Sequence, residues 1–140
     1  MIELKENVLT VDEYLELRKR VNWRKLTNDQ AKIALSHSLL VVSAYVDGRL
    51  AGMGRLVGDG AVICYVQDLI VSPELQGHGI GSSVLVRLKQ YVESIRQDGT
   101  TMMFCLMCAK GREQFYEQHG FLARPTNELG PGMIQYLSDL

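Results

Sequence analysis

Apolar residues fall at Val11, Tyr14, Leu15, Leu17 and Val21, spacings of three and four that predict an amphipathic helix. Thr10 precedes it and Glu13 follows three residues later, the two halves of a capping box. A second, short helix is predicted from Thr27 or Asn28, with Thr27 and Gln30 repeating the cap pattern and Ala31 to Leu35 in its body. Residues 2 to 8 read as a first strand. Leu39 to Val46 and Arg49 to Val57 are β-rich and flank Asp47-Gly48, a strong two-residue hairpin signal. Gly58-Asp59-Gly60 makes the next turn and Val62 to Val71 the next strand, so these three form an antiparallel meander. The period then changes. Val84, Leu88, Tyr91, Val92 and Ile95 predict a helix from about Gly79 to Gln97. Thr101 to Cys108 is nearly all apolar, the pattern of a strand buried on both faces. Residues 112 to 119 fit a short helix stopped by Gly120, and Phe121 to Ala123 and Met133 to Leu137 are expected as closing strands. The resulting order, β-α-α-β-β-β-α-β-α-β-β, predicts an α/β fold: a mixed sheet with helices on its faces.

The chain has 140 residues, enough for one domain with its own core, and no repeat or low-complexity linker divides it, so a single domain over 1–140 is expected. Lys plus Arg number 15 against 16 for Asp plus Glu, a net charge of -1. That balance gives no electrostatic drive along a phosphate backbone, and nucleic acid is not an expected partner. The longest apolar run, Met102 to Ala109, is eight residues, against the roughly 20 of a membrane span. The N-terminus has no apolar core of signal-peptide type and is acidic. A cytoplasmic location without membrane contact is the expectation. Cys64, Cys105 and Cys108 are an odd number and imply no disulfide framework.

The most informative stretch is Val71-Ser72-Pro73-Glu74-Leu75-Gln76-Gly77-His78-Gly79-Ile80-Gly81-Ser82, between a predicted strand and an amphipathic helix. Glycines at 77, 79 and 81 would weaken a helix interior, but at a helix start they let a ligand approach bare backbone. The N–H groups of a first helical turn carry a partial positive charge and suit a phosphate. A Gly-rich turn without a ligand is the alternative. No Lys follows Gly79 or Gly81, as a P-loop would need, and the glycine spacing and the hairpins ahead of it fit a dinucleotide fold poorly.

Gln76-x-x-Gly79-x-Gly81 resembles the acyl-CoA pyrophosphate loop of GNAT-type N-acetyltransferases, Arg/Gln-x-x-Gly-x-Gly/Ala, and Leu69-Ile70-Val71-Ser72-Pro73-Glu74 resembles the strand leading to it. Phe115-Tyr116-x-x-x-Gly120-Phe121 resembles the family's second signature, at the usual separation from the first. The element order is similar over nearly the whole chain. Among the GNATs, the small bacterial members related to plant-type arylalkylamine (serotonin) acetyltransferases look most similar. The resemblance implies acetyl-CoA as cosubstrate and no metal. It also implies that the strand before the loop splays from its parallel neighbour, so that Leu69, Ile70 and Val71 offer backbone to the pantetheine arm. Backbone N–H groups of Gln76, Gly77, His78, Gly79, Ile80, Gly81 and Ser82 would then hold the pyrophosphate, with the Ser82 hydroxyl as a further donor.

Acetyl transfer to an amine must remove a proton from an alkylammonium, whose reference pKa is about 10.4, and return one to the departing thiolate. Tyr116 matches the family tyrosine near the cofactor sulfur and is the candidate acid; a packed aromatic is its alternative. Asp68 lies in the otherwise apolar run Val66 to Val71, where a carboxylate is costly unless bonded or useful. Its position resembles an acidic residue of some GNATs, such as the glucosamine-phosphate acetyltransferases. It is the candidate base or amine ligand, with a structural Asp bonded to backbone, or a water relay, as alternatives. Trp23 follows the first helix, a region that in this fold walls the acceptor groove; a core or anchoring tryptophan is equally open. His78 is expected to be a solvated loop side chain and His119 a helix-end histidine. Cys105-x-x-Cys108 is a single pair, short of a zinc set, and strand alternation would put its two members on opposite faces. Met53, Met102, Met103 and Met107 are expected as core filler.

The resemblance therefore implies an acetyl-CoA-dependent N-acetyltransferase acting on a primary amine by direct transfer in a ternary complex. A small amine or arylalkylamine is the expected acceptor, and a protein or peptide amine the alternative. A non-catalytic acyl-CoA sensor and a plain interaction domain are rivals of other classes. A monomer and a homodimer both fit.

Overall fold

Backbone capping fixes the first two helices. In the computed structural model, which describes residues 1–139, strand β1 (Ile2–Glu6) leads into α1 (Val11–Arg20). The Thr10 hydroxyl accepts the Glu13 N–H at 3.1 Å and Glu13 accepts the Thr10 N–H at 2.9 Å. Helix α2 (Asn28–Ser36) starts in the same way, with Thr27 and Gln30 exchanging bonds of 3.0 and 2.9 Å. Each box satisfies donors that a helix start otherwise leaves to water. Leu140, the last residue of the expected single domain, lies outside the described residues.

The meander follows as β2 (Leu40–Val46), β3 (Arg49–Gly58) and β4 (Ile63–Val71). Asp47 and Gly48 both take positive φ, 51° and 78°, as the turn with the twist of a tight hairpin requires. At the next turn Asp59 Oδ1 accepts the N–H groups of Ala61, Val62 and Ile63 at 2.8, 2.7 and 3.0 Å. Helix α3 (Ile80–Ile95) then crosses to β5 (Met103–Leu106), which pairs parallel to β4. The sheet order is β1-β2-β3-β4-β5, antiparallel except for that last pair.

Both faces of the sheet are covered. Leu9, Tyr14, Leu17 and Ala31 pack with Val41, Met53 and Ile70 under α1 and α2. On the opposite face α3 buries Ile80, Val84, Leu85, Leu88 and Val92. Close approach of α3 depends on β3 having no side chains at two positions. A Cβ on Gly54 would stand 2.8 Å from Val84 Cγ1, and one on Gly52 would stand 2.5 Å from the Ile70 carbonyl oxygen and 3.3 Å from Ile80 Cγ2.

The chain falls into two compact units, Met1–Leu106 and a second that starts at Met107. The second holds α4 (Glu113–Gln118), which Gly120 ends at φ 89°. The two closing strands expected at 121–123 and 133–137 are not formed. Between the two segments, residues 124–130 form a local loop. The Thr126 N–H donates to the Leu129 carbonyl at 2.8 Å, the Thr126 hydroxyl accepts from Glu128 and Leu129, and Arg124 Nε donates to the Gly130 carbonyl at 2.6 Å. Pro125, Gly130, Pro131 and Gly132 interrupt the chain between the two expected segments with residues that weaken strand pairing. The doubly buried strand expected over Thr101–Cys108 is also shorter and more open. β5 is an edge strand laddered to β4 alone, and Met103 is 50% exposed. Met53 and Met102 are core residues as expected, whereas Met103 and Met107 are exposed.

Two outcomes follow from this packing. Gly52→Ala forces a methyl against a strand carbonyl, and thermal unfolding should show a loss of about 1–3 kcal/mol, or roughly 3–10 °C in Tm. Asp59 has its pKa lowered, chiefly by the Ala61 N–H and then those of Ile63 and Val62. Its contribution is therefore present above the ordinary carboxylate pKa and lost as pH falls through the lowered one. The Tm gap between the wild type and Asp59→Ala should be widest near neutral pH and close in strong acid; a gap independent of pH would remove Asp59 from the turn's stability.

Candidate active site

Strand β4 is unevenly paired. Against β3 it runs to Val71, opposite Gly52. Against β5 the ladder covers Ile63–Val66 and Met103–Leu106 and goes no further. The splay implied by the resemblance is present in this form: residues 67–71 continue as strand without a β5 partner. Leu69, Ile70 and Val71 lie on that stretch.

Where that stretch begins, past the middle of β4, the strand carries a bulge. The register shifts between Met53 and Arg55 on β3, and Asp68 sits across from the shift with φ 59°. A non-glycine residue in the left-handed region costs about 1–2 kcal/mol, so something must hold it there. The Asp68 carboxylate is fully buried and takes four side-chain donors. Tyr14 Oη and Arg55 Nε donate to Oδ2, the latter at 2.7 Å, and Arg18 Nη1 and Gln67 Nε2 donate to Oδ1 at 2.8 and 3.4 Å. Its partners are side chains of α1, β3 and β4, not the backbone amides that the sequence suggested for a structural Asp. Burial, then the Asp68 charge and the bond to it, push the Tyr14 phenol above its ordinary pKa, so it remains a donor.

Tyr14, Arg18 and Arg55 were not legible as site residues. Tyr14 reads as part of the apolar stripe of α1. The available signal was Tyr14 and Arg18 at i and i+4 on one helix face, and a charge inside the apolar strand β3.

Beyond β4, Pro73–Leu75 forms a single 3-10 turn and the loop enters α3. Several contacts brace it. Gln76 Nε2 donates to the Val71 carbonyl at 3.1 Å, and His78 Nδ1 lies 3.1 Å from the carbonyls of both Leu75 and Gln76. His78 thus ties the loop to itself rather than hanging free in solvent. Arg20 of α1 reaches the Ser72 hydroxyl at 2.8 Å and the Leu50 carbonyl at 3.1 Å, holding the loop's first residue. Gly77 and Gly79 are left-handed, φ 84° and 83°, and a Cβ on either would meet nothing within 4 Å. These glycines are required by backbone conformation and border open space. The first helical bond of α3 is Ser83 N–H to Gly79 O at 3.0 Å. The N–H groups of Ile80 and Gly81 precede it and have no intrahelical carbonyl to bond. Ser82 lies in the same turn. Such a turn after a splayed strand fits a diphosphate and an extended amide chain in its donor chemistry.

Trp23 is not a core residue. It is 38% exposed and stacks against the Arg18 guanidinium at 5.5 Å. With Arg18 it lines a cavity of about 540 Å³ at the end of α1, together with Glu16, Lys19, Arg24 and Lys25.

In the second unit Tyr116 belongs to an aromatic cluster. Its ring meets Phe115 edge-on at 5.0 Å and Phe121 at 5.9 Å, and its carbonyl accepts the Phe121 N–H at 3.1 Å. His119 ends α4 and packs its ring 5.0 Å from Phe115. The three cysteines are free, with thiol pKa values pushed up by burial. Cys108 lies beyond the end of β5, so the alternation expected for the Cys105–Cys108 pair does not apply. Among the described residues no three His, Cys, Asp or Glu side chains converge on a metal position, and no helix is long and apolar enough to cross a membrane.

Comparison with known proteins agrees with this geometry. The family model described as Acetyltransferase (GNAT) domain matches residues 37–122, more than half the chain. An uncharacterized N-acetyltransferase, ycf52, of Porphyra purpurea is 28% identical over 92% of this chain and 78% of its own. Serotonin N-acetyltransferase 2, chloroplastic, of Oryza sativa subsp. japonica is 30% identical over 84% of this chain and 58% of its own. The solved structure of a GNAT-family acetyltransferase from Streptococcus pneumoniae TIGR4 superposes with a TM-score of 0.81 at 31% identity, covering 99% of this chain and all of that one. The chain belongs to the GNAT acetyltransferases and is an enzyme of the acyltransferase class.

Proposed function

We propose that the protein transfers the acetyl group of acetyl-CoA directly to a small primary amine, with both substrates bound at once. The observation that carries this reading is the open first turn of α3, with Gly77 and Gly79 left-handed and facing free space, immediately after a strand whose ladder to β5 ends at Val66. Backbone N–H groups from Gln76 to Ser82 hold the pyrophosphate, and Leu69, Ile70 and Val71 hold the pantetheine arm. The two compact units work as one domain, a reading supported by a family match that runs across their boundary.

In the reaction the neutral amine nitrogen attacks the thioester carbonyl, the carbon–nitrogen bond forms and the carbon–sulfur bond breaks. The Tyr116 phenol donates a proton to the leaving thiolate. What supports Tyr116 is its place in Phe115-Tyr116-x-x-x-Gly120-Phe121, which resembles the family's second signature. Asp68 was the candidate base. Its two carboxylate oxygens already accept from two guanidinium groups, a phenol and an amide, which fills their acceptor sites and favours the water relay. Asp68 then serves the acceptor side as a positioning group: it holds Arg18, and with it Trp23, in place. An arylalkylamine acceptor is a second reading, favoured by the rice relative's name and by the aromatic face of Trp23.

Calorimetry with acetyl-CoA should show stoichiometric binding, and free-thiol release should depend on an added amine. No binding would leave only an interaction domain; binding without turnover across a broad amine panel would leave a sensor. Tyr116→Phe should lower kcat by roughly 10²-fold or more with the acetyl-CoA Kd essentially unchanged. Unchanged turnover removes Tyr116 as the acid. With water as the acceptor of the proton, the rising limb of kcat/KM against pH should move with the pKa of whichever amine is supplied. A limb fixed in the carboxylate range for every acceptor would restore Asp68 as the base.

A further inference from the structure

The cavity at the end of α1 differs in charge from the chain around it. The protein as a whole carries -1. The cavity is lined by four cationic side chains, Arg18, Lys19, Arg24 and Lys25, and by one carboxylate, Glu16, which is itself 3.3 Å from Arg20. Arg18 is committed to Asp68 and to the Arg24 carbonyl, both at 2.8 Å. Lys19 and Lys25 are exposed and line a volume of the size that takes small ligands. Trp23 supplies a flat apolar wall beside them.

The cavity is also connected to the strand that would carry the acyl donor. Arg18 lines it and at the same time holds Asp68, the residue directly ahead of Leu69 on the splayed part of β4. A compound bound at Lys19 and Lys25 is therefore linked to that strand through one side chain, Arg18. A cationic amine with no other charge would enter against a net positive field; an amine whose far end is anionic would be drawn in by it, its nitrogen left for acylation.

Resting on the acetyltransferase reading above, we infer that this cavity binds the acceptor through an anionic group, so that the preferred substrates are primary amines carrying a carboxylate or a phosphate, held by Lys19 and Lys25 against Trp23. This narrows the acceptor class and sets it apart from simple arylalkylamines.

The test compares ethanolamine, β-alanine, phosphoethanolamine and phenethylamine as acceptors. The first three share a two-carbon amine and differ in end group, so the carboxylate and phosphate arms separate the two anion sources. Trp23 is the sole tryptophan of the chain, and its emission reports occupancy of the cavity without turnover. At least one of the two anionic amines should show kcat/KM and Trp23 affinity roughly tenfold above ethanolamine and phenethylamine, and the advantage should shrink with added salt. Lys19→Gln/Lys25→Gln and Lys19→Glu/Lys25→Glu should remove that advantage in graded order while the acetyl-CoA Kd stays unchanged. Equal or better performance of the uncharged-end amines in both readouts, or no effect of either double variant, overturns the inference. Failure of acetyl-CoA to bind would sink the acetyltransferase reading alone, because the Trp23 titration still decides whether the cavity selects anions.

Discussion

A carboxylate with no exposed surface must be compensated, and in this protein that requirement joins three elements. Asp68 sits on the bulged turn of β4 in a backbone region that an aspartate enters only at a cost. Arg18 and Tyr14 from α1 and Arg55 from β3 converge on it. Removal of Asp68 would leave Arg18 and Arg55 without their shared counter-charge in a largely dry site, where such losses run to about 3–5 kcal/mol. The cluster is better understood as a constraint than as a source of stability. It admits one angle of α1 against the sheet and one register of the bulge. Arg18 then presents its other face to Trp23, and Arg20, half a turn on, reaches Ser72 at the start of the glycine loop. The acceptor wall and the loop are thereby set from the same helix.

The opposite face of the sheet works by omission. Gly52 and Gly54 leave β3 bare where α3 crosses it, so Ile80 and Val84 settle against backbone. That close seating fixes the start of α3 relative to the end of β4. The loop between them needs little rigidity of its own; His78 and Gln76 brace it with bonds to its own carbonyls, and Gly77 and Gly79 turn it through angles that other residues resist.

Much of the first unit was legible in the sequence because its signals are local. Thr10 with Glu13, Thr27 with Gln30, and Asp47-Gly48 each act over a few residues, and each formed as read. The glycine loop was legible for the same reason, since its motif is contiguous. What escaped the reading depends on partners far apart in the chain. Arg18 and Arg55 become meaningful only when the fold brings them to Asp68, 50 and 13 residues away. Phe121–Ala123 and Met133–Leu137 have the composition of strands, but composition does not provide a neighbour, and neither segment pairs in the sheet. The apolar run ending at Cys108 misled in the same way: its richness suggested cover on both faces, whereas β5 is laddered on one side only.

The two capping boxes have a consequence for how this scaffold can be altered. Thr27 starts α2 with its own reciprocal bonds, and α1 closes on its own last turn at Val21. Neither helix borrows a hydrogen-bond partner from the far side of residues 22–26. The connector itself, however, gives the Trp23 N–H to the Arg18 carbonyl and the Arg24 carbonyl to the Arg18 guanidinium, and Leu26 packs against the core, so its length is set while its exposed side chains can vary. New acceptor chemistry can be installed there by exchanging side chains at positions 24 and 25 with those backbone bonds and Leu26 kept.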